Sequence, residues 1–187
     1  ALVRVQGLLG QEAVQVPMLS GGRGPAERIT FAPLGDEPVP RADPGQPWPG
    51  QLPEPSPTVL LDDPVELFDA DGNPVRVTGR GLFSAAPARL AAPTGTDPRV
   101  AALLPADTDP RVAALLPAGA RSGRLSWWAG PWSVDERWWD SGQVPTQSRA
   151  GRTARVQVLL DGDGDTAGRA MLLCYRQRRW YLEGMYE

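Results

Sequence analysis

The chain has 187 residues, 19 basic against 22 acidic, a formal net charge of −3 and no histidine; every basic residue is arginine. With Cys174 as its one cysteine, it lacks the side chains for a zinc site, a Cys–His pair, a Ser–His–Asp triad, a Schiff-base lysine or a phosphate-loop lysine. The expectation is a protein that is not an enzyme and that carries no cofactor and no metal. Its 21 glycines and 21 prolines keep long helices from dominating.

In chain order, Leu2, Val5, Leu8 and Leu9 repeat at helical spacing, and Gly10 follows as a helix end. Val14, Val16 and Met18 alternate as a strand, Ser20-Gly21-Gly22 turns, and Ile29 with Phe31 marks a second strand. So small a unit cannot bury its own core. From Pro33 to Pro64 prolines recur every few residues, which predicts an extended arm with polyproline character at 53–57, a stiff connector with Trp48 pinned to a folded neighbour. Val65 to Phe68, an Asp-Gly turn at 69–73, and Pro74 to Val77 read as a hairpin.

Thr96 to Ala106 recurs word for word at Thr108 to Ala118, separated by Asp107. Two copies do not make a solenoid, so this reads as a duplicated insertion, each copy a short helical turn between prolines. Strand patterns follow at 124–128, at 152–160, where Ala154, Val156, Val158 and Leu160 share a face, and at 169–176 and 180–186. The expected fold is mainly β with short helices: a small antiparallel β domain with a C-terminal meander, and a proline-rich extended arm. Its segments are 1–35 (helix, strand, strand), 36–64 (arm) and 65–187 (β domain, with the insertion at 96–118). The meander should rest on Val156, Val158, Leu172, Cys174, Trp180 and Leu182, with Cys174 a small core residue.

Asp161, Asp163 and Asp165 alternate like calcium ligands, but Thr166 and Leu172 stand where such a loop needs glycine and glutamate. Asp69, Asp71 and Asn73 fail at Pro74, and both runs read as turns. Gly21-Gly22-Arg23-Gly24 and Gly79-Arg80-Gly81 lack the strand-to-helix setting of a phosphate loop. The pairs Asp62-Asp63 and Asp135-Glu136 lack a third ligand.

A lone cysteine forms no internal disulfide, and no apolar run approaches the ~18 residues that span a bilayer, so a soluble cytoplasmic protein is expected. The start at Ala1 rather than methionine fits a piece of something longer. Residues 1–120 hold 9 arginines and 14 acids, net −5, and residues 121–187 hold 10 arginines and 8 acids, net +2. Six of the seven tryptophans lie in the last third. Trp and Arg are the commonest anchors of protein interfaces, which makes Trp127, Trp128, Trp132, Arg137, Trp138 and Trp139 the candidate partner-binding residues. A second reading is a β module that stacks and neutralises single-stranded DNA.

Trp128-Ala129-Gly130-Pro131-Trp132-Ser133-Val134-Asp135-Glu136-Arg137-Trp138-Trp139-Asp140, with the run from Arg152 to Val158 and the ending Arg179 to Glu187, resembles the C-terminal region of actinobacterial ImuB proteins. Arg4 to Gly10, Gly21 to Arg28 and Gly35 to Pro40 are similar to the stretch that follows the polymerase-like part of that family. ImuB proteins resemble Y-family translesion polymerases that have lost catalytic carboxylates. They act as adaptors in damage-induced mutagenesis, joining the sliding clamp to a RecA-like accessory protein and an error-prone replicative-type polymerase. The resemblance implies a non-catalytic interaction module for those last two partners. The polymerase-like domains are missing here, and Gln51-Leu52-Pro53-Glu54-Pro55 supplies only the start of a clamp-binding peptide, so clamp contact is expected through a segment upstream.

Overall fold

A computed structural model describes residues 1–48, 50–93, 97–102, 104, 121–135, 152–162 and 168–186. The fold is mainly β and forms two compact units, Ala1–Ser56 and Pro57–Glu187.

In the first unit, α1 (Leu2–Leu9) ends at Gly10, whose φ of 98° and ψ of 161° suit a residue without a Cβ. Strands β1 (Gln15–Leu19) and β2 (Ile29–Pro33) pair antiparallel, Gln15 opposite Pro33 and Leu19 opposite Ile29. Two strands bury little, and Leu8, Leu9, Leu19 and Phe31 stay exposed. Composition alone made 36–64 one arm, but the structure divides it. Up to Ser56 the chain folds back on the β1–β2 loop: the Gly21 amide donates to the Ala42 carbonyl at 2.8 Å, and the Leu52 amide to the Arg23 carbonyl at 3.2 Å. Leu52 is buried, and Trp48 Nε1 donates to the Asp43 carbonyl at 3.4 Å. The Arg28 guanidinium meets Glu54 at 2.7 Å and holds that carboxyl below its usual range. From Val59 the chain enters a strand instead, one that takes in Pro64 opposite Tyr181.

The second unit is a six-stranded closed barrel in sequence order: β3 (Val59–Phe68), β4 (Arg89–Ala92), β5 (Arg121–Asp135), β6 (Arg152–Leu160), β7 (Ala170–Arg176) and β8 (Arg179–Tyr186). Every neighbouring pair is antiparallel, and β8 closes on β3 from Val59 opposite Met185 to Val65 opposite Trp180. The two longest strands make the corners. β3 pairs with β8 up to Val65 and with β4 from Glu66, while β5 pairs with β4 up to Arg124 and with β6 from Leu125. One strand thus serves two sheets, as in orthogonally packed β structures.

The interior is filled from all sides. Val65, Leu67, Leu90, Leu125, Ala154, Val156, Val158, Leu160, Met171, Leu173, Tyr175, Trp180 and Leu182 belong to one buried cluster. Because strands alternate direction, the excursion at 69–88 and the described residues 97–102 and 104 after β4 lie at opposite ends of the barrel. At the first end the Asp69 carboxylate caps the turn, accepting from the Asp71 and Asn73 amides at 3.0 and 2.8 Å. Those amides hold its pKa below the ordinary value, the Asn73 amide most. The expected second hairpin arm forms only the isolated bridges Phe68 to Pro74 and Val77 to Phe83. Val75, Val77 and Phe83 pack against the core there, and Trp180 Nε1 donates to the Val75 carbonyl at 2.8 Å. At the other end α2 (Pro98–Ala101), in the first repeat copy, buries Val100 in the same cluster, and Leu104 beyond it joins them. Its first turn is capped by Asp97, whose carboxylate accepts from the Arg99 amide at 2.7 Å.

Two residues expected in the meander core face elsewhere. Leu172 and Cys174 are buried but alternate with Met171, Leu173 and Tyr175, so they sit on the outer wall, outside the core cluster.

The β7–β8 loop has Gln177 at φ 51° and Arg178 at φ 64°. Two left-handed central residues make the turn that Asn-Gly fits best. Replacing the pair with Asn-Gly (Gln177→Asn, Arg178→Gly) is expected to stabilise the barrel by about 1 kcal/mol. Urea unfolding reads this, and an unchanged midpoint would contradict it.

Candidate functional site

Tryptophans on a barrel strand alternate between interior and exterior unless the register breaks, and β5 breaks it twice. Leu125 faces Leu160, yet Trp127 faces Leu159, so β5 uses one residue more than β6 over that step. The surplus residue is Ser126, whose hydroxyl donates to the Leu159 carbonyl at 3.2 Å. Further on, Ala129 faces Gln157 and Trp132 faces Arg155, three steps on β5 against two on β6. Gly130 allows this with a φ of 115°; a Cβ there would stand 2.9 Å from the Arg155 carbonyl oxygen. A bulge re-aims the side chains that follow it. Since Leu125 and Leu160 point into the core, the first bulge turns Trp127 outward and the second keeps Trp132 outward.

The outcome differs among the predicted anchors. Trp127 is 53% exposed on the outer wall beside Leu159. Trp132 is half-buried on the same wall. Trp128 shares the inner face of Val158 and meets Phe83 edge-on, 5.1 Å between centroids, with 36% of its surface exposed at the barrel wall. Arg137, Trp138 and Trp139 lie outside the described residues.

Sequence reading missed what flanks the two outward indoles. Arg155 forms a two-pronged ion pair with Glu183 at 2.7 and 2.9 Å, and both side chains are mostly buried. Gln157 donates to the Tyr186 hydroxyl at 2.8 Å. Arg176 lies 4.1 Å from the centre of the Tyr181 ring and pairs with Asp62. Around Trp132 the outer wall of β6, β7 and β8 is thus held rigid by paired polar groups with their charges largely neutralised, while Leu172 and Cys174 lie in the same wall. On the β4–β5 side, Arg89 and Arg124 stand directly opposite each other. Arg89 Nη1 donates to Ser122 Oγ at 3.4 Å. Of these features, only Gly130-Pro131 carried a sequence signal, a glycine inside a strand pattern.

Among the described residues, no three or more His, Cys, Asp or Glu gather as metal ligands, and no helix is long and apolar enough to cross a membrane. Compared with known proteins, the chain matches no family model, no curated protein and no solved structure.

Burial, then the negative charge of Glu183, pushes the Cys174 thiol up from 9.0 to about 12. Its folded pKa lies above the unfolded one, so the stability this group contributes is whole below about pH 9 and is lost as pH climbs toward about 12. Cys174→Ala is therefore expected to flatten the alkaline fall in stability above pH 9, measured by urea midpoints across pH. An identical slope in the variant would contradict this.

Proposed function

We propose that this chain is a non-catalytic protein-interaction module of a translesion DNA synthesis adaptor, binding a RecA-like accessory protein, an error-prone replicative-type DNA polymerase, or both. The observation that carries the reading is the double bulge of β5, which places Trp127 and Trp132 outside a barrel whose interior is already full. An exposed indole beside neutralised polar pairs has the character of an interface anchor: large apolar area and few rotatable bonds. The partners follow from the resemblance of the tryptophan-rich run to ImuB C-terminal regions. On the same resemblance the protein would work in the cytoplasm with its assembly.

A second reading, a single-stranded DNA module, is favoured by one feature. Arg89 and Arg124 share a wall next to the strand segment that carries the exposed Trp127, two guanidinium groups beside an indole.

The test measures binding of the whole chain to each candidate partner separately, and to an oligonucleotide, by calorimetry. Trp127→Ala and Trp132→Ala should each weaken binding to at least one protein partner by about 2 kcal/mol or more. The exposed Trp127→Ala should leave stability within about 0.5 kcal/mol. Binding to neither protein removes the adaptor reading. Oligonucleotide affinity that falls steeply with salt would transfer the assignment to DNA.

A further inference from the structure

Hydrogen bonds at the two ends of the β1–β2 ladder fix which amides point out of it. The Ser20 amide donates to the Arg28 carbonyl at 2.8 Å, and the Leu34 amide to the Val14 carbonyl at 2.9 Å. In the register between them the even-numbered residues therefore bond across the pair, Val16 with Ala32 and Met18 with Thr30. The odd-numbered residues turn their backbone groups to the outer edges: Gln15, Pro17 and Leu19 on β1, Ile29, Phe31 and Pro33 on β2. Both prolines thus stand where a missing donor costs no ladder bond.

The two edges differ in protection. Pro17 interrupts the outer edge of β1 in its middle, where a proline blocks a further strand. On β2 the outward donors Ile29 and Phe31 are consecutive, one β-branched and one aromatic, and Pro33 only ends the row. Among the described residues no strand other than β1 joins this sheet, and no hydrogen bond takes the outward groups of Ile29 or Phe31. Their side chains, 40% and 58% exposed, share one face with Leu19 at 72%.

This edge complements itself. With Thr30 opposite Thr30 of a second copy, Ile29 lies opposite the second copy's Phe31, and four hydrogen bonds use every outward amide and carbonyl of both residues. Shifting the register to set Phe31 against Phe31 brings Pro33 opposite Ile29 and leaves the Ile29 carbonyl without a donor. β2 carries no charged residue, so no like charges meet, and the apolar row from Leu19 through Ile29 continues into the second copy's Phe31 and Pro17.

We propose that β2 is a self-pairing edge: two copies of this chain join antiparallel along Ile29–Pro33 about a two-fold axis at Thr30, forming a four-stranded sheet in the order β1, β2, β2, β1. One strand pair buries less than the roughly 1,200 Å² of a stable interface, so the dimer is weak and forms only at high concentration. Self-pairing is independent of what the outward tryptophans bind.

The experiment uses the full chain at about 10 µM and about 1 mM. Sedimentation should show monomer at the lower concentration and a rising dimer fraction at the higher. At the higher concentration the Ile29 and Phe31 amides should exchange several-fold more slowly, with those of Gln15 and Leu19 unchanged. Phe31→Pro removes two of the four bonds between copies and none between β1 and β2, so it should raise the dimer dissociation constant at least about tenfold. Exchange at the Val16 and Ala32 amides reads whether the hairpin survives that change. A second variant, Ile29→Lys with Phe31→Lys, keeps every backbone donor, sets like charges opposite each other across the axis and should also abolish the dimer. Three results overturn self-pairing: monomer at both concentrations, a dimer that keeps its affinity in either variant, or Ile29 and Phe31 amides slowed only when another protein is added. The last would give the edge to a foreign strand.

Discussion

Closure of β3 on β8 is the constraint from which the rest follows. A six-stranded sheet left open would expose two ladders of unpaired amides and carbonyls, and its apolar face would need another layer to cover it. Joining Val59–Val65 to Trp180–Met185 removes both edges and turns every inward side chain toward a single narrow interior. That interior takes Leu67, Leu90, Leu173 and Leu182 almost without residual exposure, with Trp180 as its one fully buried indole among the described residues. Room for further bulky rings does not exist at native packing density.

The bulges of β5 are the answer to that crowding. In a regular strand the register set by Leu125 would aim Trp127 inward, and without Gly130 Trp132 would turn inward too. Ser126 and the Gly130–Pro131 step each add one residue and reverse the outcome. Outside, the walls around Trp132 are kept ordered by Arg155 with Glu183 and Gln157 with Tyr186. Both open ends are filled by chain between strands, Val75 and Phe83 at one, Val100 and Leu104 at the other. Val100 and Leu104 are therefore part of the core, although the composition around them resembles a tolerant loop.

Elements with a clean period were legible in the sequence. The alternation Ala154, Val156, Val158, Leu160 located β6 to the residue, and the helix ending at Gly10 and the β1–β2 hairpin were equally clear. Where periodicity is absent the reading lost the facing: β7 runs Met171-Leu172-Leu173-Cys174-Tyr175 without a polar residue, and both faces are buried, so nothing local tells Leu172 from Leu173. β4 is four residues of Arg, Leu and Ala, which have no β preference of their own. β3 hides behind Asp62-Asp63-Pro64, a string that reads as a loop until β8 is present to pair with it. The closure joins segments more than a hundred positions apart, and no local signal announces it. For the site, the aromatic composition pointed to the right strand, but which indoles face outward depends on two register shifts, of which only the glycine one leaves a trace in the sequence.

Amide hydrogen exchange resolved to single residues tests the closed ring most directly. Amides that cross the β3–β8 seam, in Val59–Val65 and in Trp180–Met185, should exchange as slowly as those shared by β6 and β7, and only at global unfolding. Rapid exchange along β3 with β6 and β7 still protected would mean an open sheet, and the account of a full interior that drives Trp127 and Trp132 outward would fail with it.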